Sequence, residues 1–368
     1  MNRRTFLQGG FAAMIAAPLA NARLASAIEQ QKFDAAAEIL AQSVASGQVA
    51  AAVIHAEQRG ETFSRAFGKA QSPDAMFLLG SISKPINMTA LMTLYDQGKF
   101  QLDDPLHKWL PQFSGEGREQ VTMRHVLTHT SGLPDQLPEN NALRQKHTPL
   151  TEFAEHAARA KLSFRPGTKY QYSSMGILLA ARVAELISGT DILTLVDRTV
   201  FQPLGMRHSA QGLGRFKITD FVSMQTDRAA PESGAGDPSA KDWDWNSGYW
   251  RGLGAPWGGV HSSGPDLGRW LAEFLTAKGT VLKPESERLM VTNQNPPGLT
   301  SRGLGFVVGG GLGGRGCSDQ TFGHTGSSGT IAWADPAAQT ICVVLTSLPA
   351  RAVQPHPRDL ASAILAGS

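Results

Sequence analysis

Gly80-Ser81-Ile82-Ser83-Lys84-Pro85 marks the point where a strand-like apolar run, Ala75 to Leu79, gives way to a helical pattern. From Ser81 onward Ile82, Ile86, Met88, Leu91, Met92 and Leu94 recur at roughly helical spacing, which puts Ser81 at or beside a helix N-terminus. Ser81 and Lys84 are three residues apart, so one helical face carries both and brings an amine within reach of a hydroxyl. By itself the pair fits two readings: a nucleophile with its base, or an N-cap serine followed by a solvated first-turn lysine. Pro85 lacks an N–H and therefore belongs only near the helix start, which fixes the position of Ser81 more tightly.

Working outward, residues Ile28 to Ser46 read as an amphipathic helix with Phe33, Ala37, Leu40 and Val44 on one stripe, placed to pack on a sheet. Two strand-like runs follow, Ala50 to His55 and Thr62 to Phe67, joined through Gln58-Arg59-Gly60 as a hairpin. The helix beginning near Ser81 should end about Gln97, before Gly98. Between Gln101 and about Trp250 the pattern is helices and loops: Thr122 to Leu127, Leu150 to Ala160, Gly176 to Ile187 and Asp191 to Phe201. Pro231 to Asp242 reads as a flexible surface loop. Strand-like runs return at Leu304 to Val308, Gly329 to Ala334 and Thr340 to Thr346, ahead of a last helix from Arg358 to Leu365. Strands at both ends around a helical middle imply one sheet assembled from both termini, with an inserted helical subdomain.

With 368 residues, 41% apolar and 18% charged, the chain is long enough for a sizeable core. Residues 1–27 read as a targeting segment: Arg3 and Arg4 precede a short apolar stretch ending in small residues, the pattern of a twin-arginine leader read by the corresponding export machinery. Export to the periplasm is the expectation, and an uncleaved leader acting as a membrane anchor is the alternative. Arg3, Arg4 and Arg23 lie in this segment, which holds no acid, so its removal takes 34 basic residues to 31 against 31 acidic ones. A mature charge near zero argues against nucleic acid as a partner. Cys317 and Cys342 are the only cysteines, free to form one disulfide or to stay as two buried thiols, and neither belongs to a CxxC pair.

Chemistry other than that of Ser81 finds little support. No Gly-x-Ser-x-Gly and no His-Glu-x-x-His occurs, and His125 and His129, four apart, lack a third ligand at recognisable spacing. No metal or cofactor is therefore expected. Two other stretches do answer what a serine nucleophile needs. Pro166-Gly167-Thr168-Lys169-Tyr170-Gln171-Tyr172-Ser173-Ser174 is a turn that presents aromatic and hydroxyl groups just before a helix. Gly323-His324-Thr325-Gly326-Ser327-Ser328-Gly329 is a run of small residues ahead of a strand, leaving backbone N–H groups open to a ligand. Trp243 to Trp257 holds four of the seven tryptophans, to be read as core packing, as a surface loop pinned by aromatics, or as a pocket wall.

Taken together and in order, these stretches resemble the serine β-lactamase and penicillin-binding protein superfamily, in the branch of class C-type β-lactamases, D-alanyl-D-alanine carboxypeptidases, D-aminopeptidases and related esterases. Supporting marks are Leu127-Thr128-His129-Thr130-Ser131-Gly132-Leu133 and Trp257-Gly258-Gly259-Val260-His261-Ser262-Ser263 ahead of Asp266-Leu267-Gly268-Arg269-Trp270. The resemblance implies an α+β fold: an antiparallel sheet flanked by helices from residues 28–105 and 255–368, with a mostly helical subdomain over 106–254.

It also implies roles. Ser81 would be the acylated nucleophile, Lys84 its base, and Tyr172 the tyrosine of a Tyr-x-Asn element. His324-Thr325-Gly326 would replace a Lys-Thr-Gly element, and the oxyanion hole would pair the Ser81 amide with that of Ser327 or Ser328. Ser174 stands where Asn is common, which weakens the case for an efficient β-lactamase. The implied substrates are small esters, amides, peptides or β-lactams. The implied activity is that of an esterase or D-alanyl/D-amino peptidase, with β-lactamase as the runner-up and a non-turnover binding protein as the third reading.

Overall fold

In the computed structural model the described residues run from 29 to 367; the leader expectation over residues 1–27 falls outside them. Residues 29–45 form the first helix, and Phe33, Ala37 and Leu40 on its expected stripe are buried. Strands β1 (Ala51–Gln58) and β2 (Glu61–Gly68) make the anticipated hairpin, and β3 (Phe77–Leu78) leads directly into the Gly80–Ile82 turn of 3₁₀ helix and the helix Ser83–Asp96. Later come β4 (Ser209–Gln211), β5 (Val260–Ser262), β6 (Val307–Val308), β7 (Phe322–Gly326), β8 (Thr330–Asp335) and β9 (Thr340–Thr346).

The main sheet is six-stranded and antiparallel throughout, in the order β2-β1-β9-β8-β7-β6. β9 sits beside β1 with Ala52 opposite Thr346 and Gln58 opposite Thr340, so the two ends of the chain are joined at the centre of the sheet. Side chains alternate between faces as the two-residue period requires. Ile54, Cys342 and Val344 pack under the first helix and the C-terminal helix Pro357–Ala366, whereas Val53, Val343 and Leu345 face the helix Gly264–Thr276 through Leu267, Trp270 and Leu271. Each such aliphatic side chain contributes about 1.5–3 kcal/mol on burial. A second, three-stranded sheet β3-β5-β4 underlies the start of the Ser83–Asp96 helix. That helix is buried on all sides from Ser83 to Leu94. Among the described residues no helix is long and apolar enough to cross a membrane.

Three sequence expectations change. The strand expected over Leu304–Val308 shrinks to Val307–Val308, because Gly305 takes a left-handed φ of +84° and turns the chain. His324-Thr325-Gly326 lies within strand β7 and only Ser327-Ser328-Gly329 is turn, since pairing with β8 (His324 opposite Ala332) overrides weak local strand preference. The Asp191–Phe201 helix is α-helical only over Ile192–Val196 and then widens into a π-helical turn, Asp197–Phe201. Cys317 and Cys342 are both free thiols, the second fully buried.

Candidate active site

β7 can lie beside the nucleophile turn only because two positions lack a side chain. Gly80 has φ +58°, and a Cβ there would stand 3.0 Å from Ser328 Oγ and 3.1 Å from Ser327 N. On Gly326 a Cβ would come within 2.0 Å of the Leu79 carbonyl oxygen and 2.3 Å of Thr330 Oγ1. Thr330 Oγ1 donates to that same Leu79 carbonyl at 2.7 Å, and the Arg358 guanidinium bonds the carbonyls of Gly326 and Thr330, which pins the hairpin from behind. The half-buried Ser81 is thus set against the Ser327–Ser328 turn. Ser327 is exposed and its amide nitrogen lies against the Gly80 turn, whereas Ser328 is buried with its hydroxyl toward Thr330 Oγ1.

The expected helical spacing brings Lys84 Nζ to 2.9 Å from Ser81 Oγ, and Nζ also donates to the Trp257 carbonyl at 3.0 Å. Lys84 is only 1% exposed. Burial is the main force pushing its pKa down to about 7, helped by the positive charge of Arg302 and opposed by Asp135 and Glu232. Pro85 is the third residue of the Ser83–Asp96 helix, where its missing N–H would have no intrahelical partner. On the other side of the lysine stands Tyr172, its ring 4.7 Å from Nζ and its hydroxyl bonded to Ser81. Burial drives the Tyr172 pKa upward despite that bond, so the phenol is protonated at neutral pH. Of the two groups on Ser81, the lysine is therefore the one that can take a proton in the resting site.

Tyr172 is delivered by the segment after Gly167. Gln171 N donates to the His129 carbonyl at 2.9 Å, and Ser173 N donates to His129 Nδ1 at 3.1 Å. The ring of His129 lies 4.6 Å from that of Tyr172, and His324 lies 6.0 Å away on the β7 side. Both histidines are held well below their ordinary pKa, first by burial and then by Arg302. Hydrogen-bond partners assign their tautomers: His129 accepts at Nδ1 and so carries its proton on Nε2, while His324 Nδ1–H donates to the Thr325 carbonyl at 2.6 Å. A neutral imidazole therefore occupies the position expected to resemble a lysine. Thr325 is half-buried on the same strand.

Ser174 does not offer its hydroxyl to this space. It opens the helix Ser174–Ser188, is buried, and gives both N–H (3.0 Å) and Oγ (2.6 Å) to one oxygen of Asp135. His125 accepts from Thr122 N as a helix cap, and among the described residues no group of His, Cys, Asp and Glu is arranged to hold a metal. The four tryptophans of the Trp243–Trp257 segment are all buried, and Trp257 packs on Phe153 and Trp250 while its carbonyl meets Lys84. Sequence reasoning missed Asp135, Arg302, the Trp257 carbonyl and the site-facing role of His129. A charged residue between loops offers no periodicity to read.

Comparison with known proteins bears on the family and the fold. Esterase EstB of Burkholderia gladioli is 35% identical over 189 residues, 47% of this chain and 45% of the esterase. A putative D-alanyl-D-alanine carboxypeptidase of Escherichia coli is 25% identical over 71% of this chain and 66% of its own length. The chain thus spans under half of the first relative and about two thirds of the second. In fold it is similar to EstCE1, a hydrolase with promiscuous acyltransferase activity, at a TM-score of 0.72 and 22% identity over 91% of this chain and 99% of that one. A family model described as Beta-lactamase matches residues 36–366, with Ser81, Lys84, Tyr172 and His324 all inside the match, and the chain belongs to that family.

Proposed function

We propose that this protein is a serine hydrolase that works through an acyl-enzyme on Ser81, with small esters or amides as substrates. The observation that carries the reading is the contact of a buried Lys84, its pKa pushed down to about 7, with Ser81 Oγ at 2.9 Å. Ser81 Oγ attacks the substrate carbonyl carbon while its proton passes to Lys84 Nζ. The developing oxyanion is met by the amides of Ser81 and Ser327; loss of one such donor costs about 10²–10³ in turnover. Tyr172, protonated at rest and bonded to Ser81, hands a proton to the leaving oxygen or nitrogen as the carbonyl–heteroatom bond breaks, and is reprotonated from Lys84. Water then attacks the ester on Ser81, giving one proton to the same pair; the carboxylic acid leaves and the Ser81 hydroxyl is restored.

Esters are the leading class because Ser174 stands where a carboxamide is common and its hydroxyl is engaged by Asp135, so this position offers nothing to a substrate amide. Slow cephalosporin turnover relative to ester turnover is expected. The leader further supports export to the periplasm, with substrates met there.

The test is a kinetic panel of a chromogenic ester, a D-alanyl dipeptide, a penicillin and a chromogenic cephalosporin, run on wild type and Ser81→Ala. Ester turnover above the other three, lost in Ser81→Ala, supports the reading; a fast steady-state rate on the cephalosporin overturns the preference for esters.

A further inference from the structure

Arg302 is a buried cation with no acidic partner among the described residues. It is 9% exposed, and among the described residues its guanidinium has one hydrogen bond, from Nη2 to the Tyr170 hydroxyl at 2.6 Å; Nε and Nη1 have none. Leaving buried N–H groups unpaired costs stability, most of all on a charged group. The position is nevertheless well determined. Its guanidinium carbon lies 5.3 Å from the Tyr170 ring centre and 5.5 Å from that of Tyr172, its backbone N–H donates to Asn293 Oδ1 at 3.0 Å, and its carbonyl accepts from Gln294 N at 2.7 Å. A charge kept in so unfavourable a place beside the nucleophile calls for a reason other than stability.

We propose that Arg302 is a positioning residue that acts through Tyr172 and Lys84, supplying the fixed positive charge against which the Ser81–Lys84–Tyr172 group exchanges its proton. This rests on the hydrolase reading above. His324 is neutral where a Lys-Thr-Gly element would carry a cation; Arg302, bridged to Val307 on the β6 side of β7, supplies the cation in its place. The groups facing Lys84 are Ser81 on its own turn, the phenol of Tyr172, the Trp257 carbonyl, His129, His324, Arg302, Asp135 and Glu232. Of these, Arg302 is the fixed cation, since a guanidinium keeps its charge across the working pH range. Asp135 is the opposing anion, anchored by Ser174. Arg302 favours the neutral amine before attack and the electron-rich phenol oxygen during transfer, and Asp135 does the reverse.

The test is the pH dependence of kcat/KM from pH 5 to 9 on a neutral chromogenic ester, for wild type, Arg302→Met, Arg302→Gln, Arg302→Lys and Asp135→Asn, with thermal melts to confirm folding. Removing the cation lets Lys84 hold its proton to higher pH, so the acid limb of Arg302→Met and Arg302→Gln should move up, by about one unit. Arg302→Lys should bring it back, and Asp135→Asn should move it down. A rate lowered equally at every pH, with the limb in place, overturns the proposal and leaves Arg302 a structural residue. A fixed limb with KM raised only for carboxylate-bearing esters also overturns it, making Arg302 a substrate contact. Failure of the hydrolase reading itself would show separately, as ester turnover that survives Ser81→Ala.

Discussion

Lys84 and Arg302 are both buried cationic side chains beside Tyr172, and the fold treats them in opposite ways. Lys84 is met on two sides, by Ser81 Oγ and the Trp257 carbonyl, and its burial is relieved by giving up its proton near pH 7. Arg302 has no such escape; two of its nitrogens have no partner among the described residues and the guanidinium lies over two aromatic faces. The contrast separates a group that reacts from one that sets the field in which reaction occurs. An amine in a dry site becomes a base, and a guanidinium in a dry site remains a charge.

The sharpest break of that comparison is Lys84→Met, which keeps the buried stem and removes the amine. Ester kcat should fall by about 10²–10⁴ while the variant stays folded; a loss of less than tenfold would leave Tyr172 as the base. The lysine also gives a signed pH effect on stability. Its folded pKa is depressed from 10.5 to about 7, so between those values the unfolded chain holds more protons and stability rises with pH. In Lys84→Met that component of the slope should vanish, as read from melts between pH 7 and 10.

Next in size is Gly326→Ala, which tests whether the β7 approach sets the site. A Cβ 2.0 Å from a backbone oxygen must displace the strand, so a destabilisation of several kcal/mol together with a large loss in kcat is expected. Unchanged melting and activity would mean that the strand and the nucleophile turn can separate freely. Smaller still is Ser174→Ala. It removes the 2.6 Å bond to Asp135 but keeps the 3.0 Å backbone one, so rates should change only a few-fold, with the acid limb moving in the same direction as in Asp135→Asn. A limb that moves upward would show that Ser174 touches the reaction by another route.

The smallest effect lies away from the site and serves as a control. Glu273 and Glu287 are buried together, held by the amides of Gly279, Thr280 and Val281, and burial with mutual repulsion raises the Glu287 pKa. The native state then holds a proton that the unfolded chain releases above the ordinary carboxylate pKa, so this pair loses stability as pH rises through neutrality. Glu287→Gln should flatten that fall in melts between the ordinary carboxylate pKa and about pH 8 and leave the ester pH profile untouched; a shifted profile would mean the two regions are coupled.

Much of the site was legible because it rests on local rules. Ser81 and Lys84 meet through helical spacing, Tyr172 comes just before a helix start, and Gly326 is small where backbones must approach. The sheet was legible from the short apolar runs of β1, β8 and β9 and from the hairpin turn that joins β1 to β2. Strand β7 was hidden because Gly323 and Gly326 interrupt its strand preference and pairing with β8 defines it. Asp135, His129 and Arg302 were hidden for a deeper reason: they reach Lys84 through the packing of loops far apart in sequence. Ser174 was placed correctly beside the site, but its hydroxyl goes to Asp135, a partner that no spacing rule supplies.

The central claim is that Ser81 carries the acyl group. Intact-mass and peptide mapping after brief exposure to a slowly hydrolysed chromogenic ester tests it directly. The expected result is one acyl adduct per chain on the peptide holding Ser81, absent from Ser81→Ala; an adduct on another residue, or ester turnover persisting in Ser81→Ala, would contradict it.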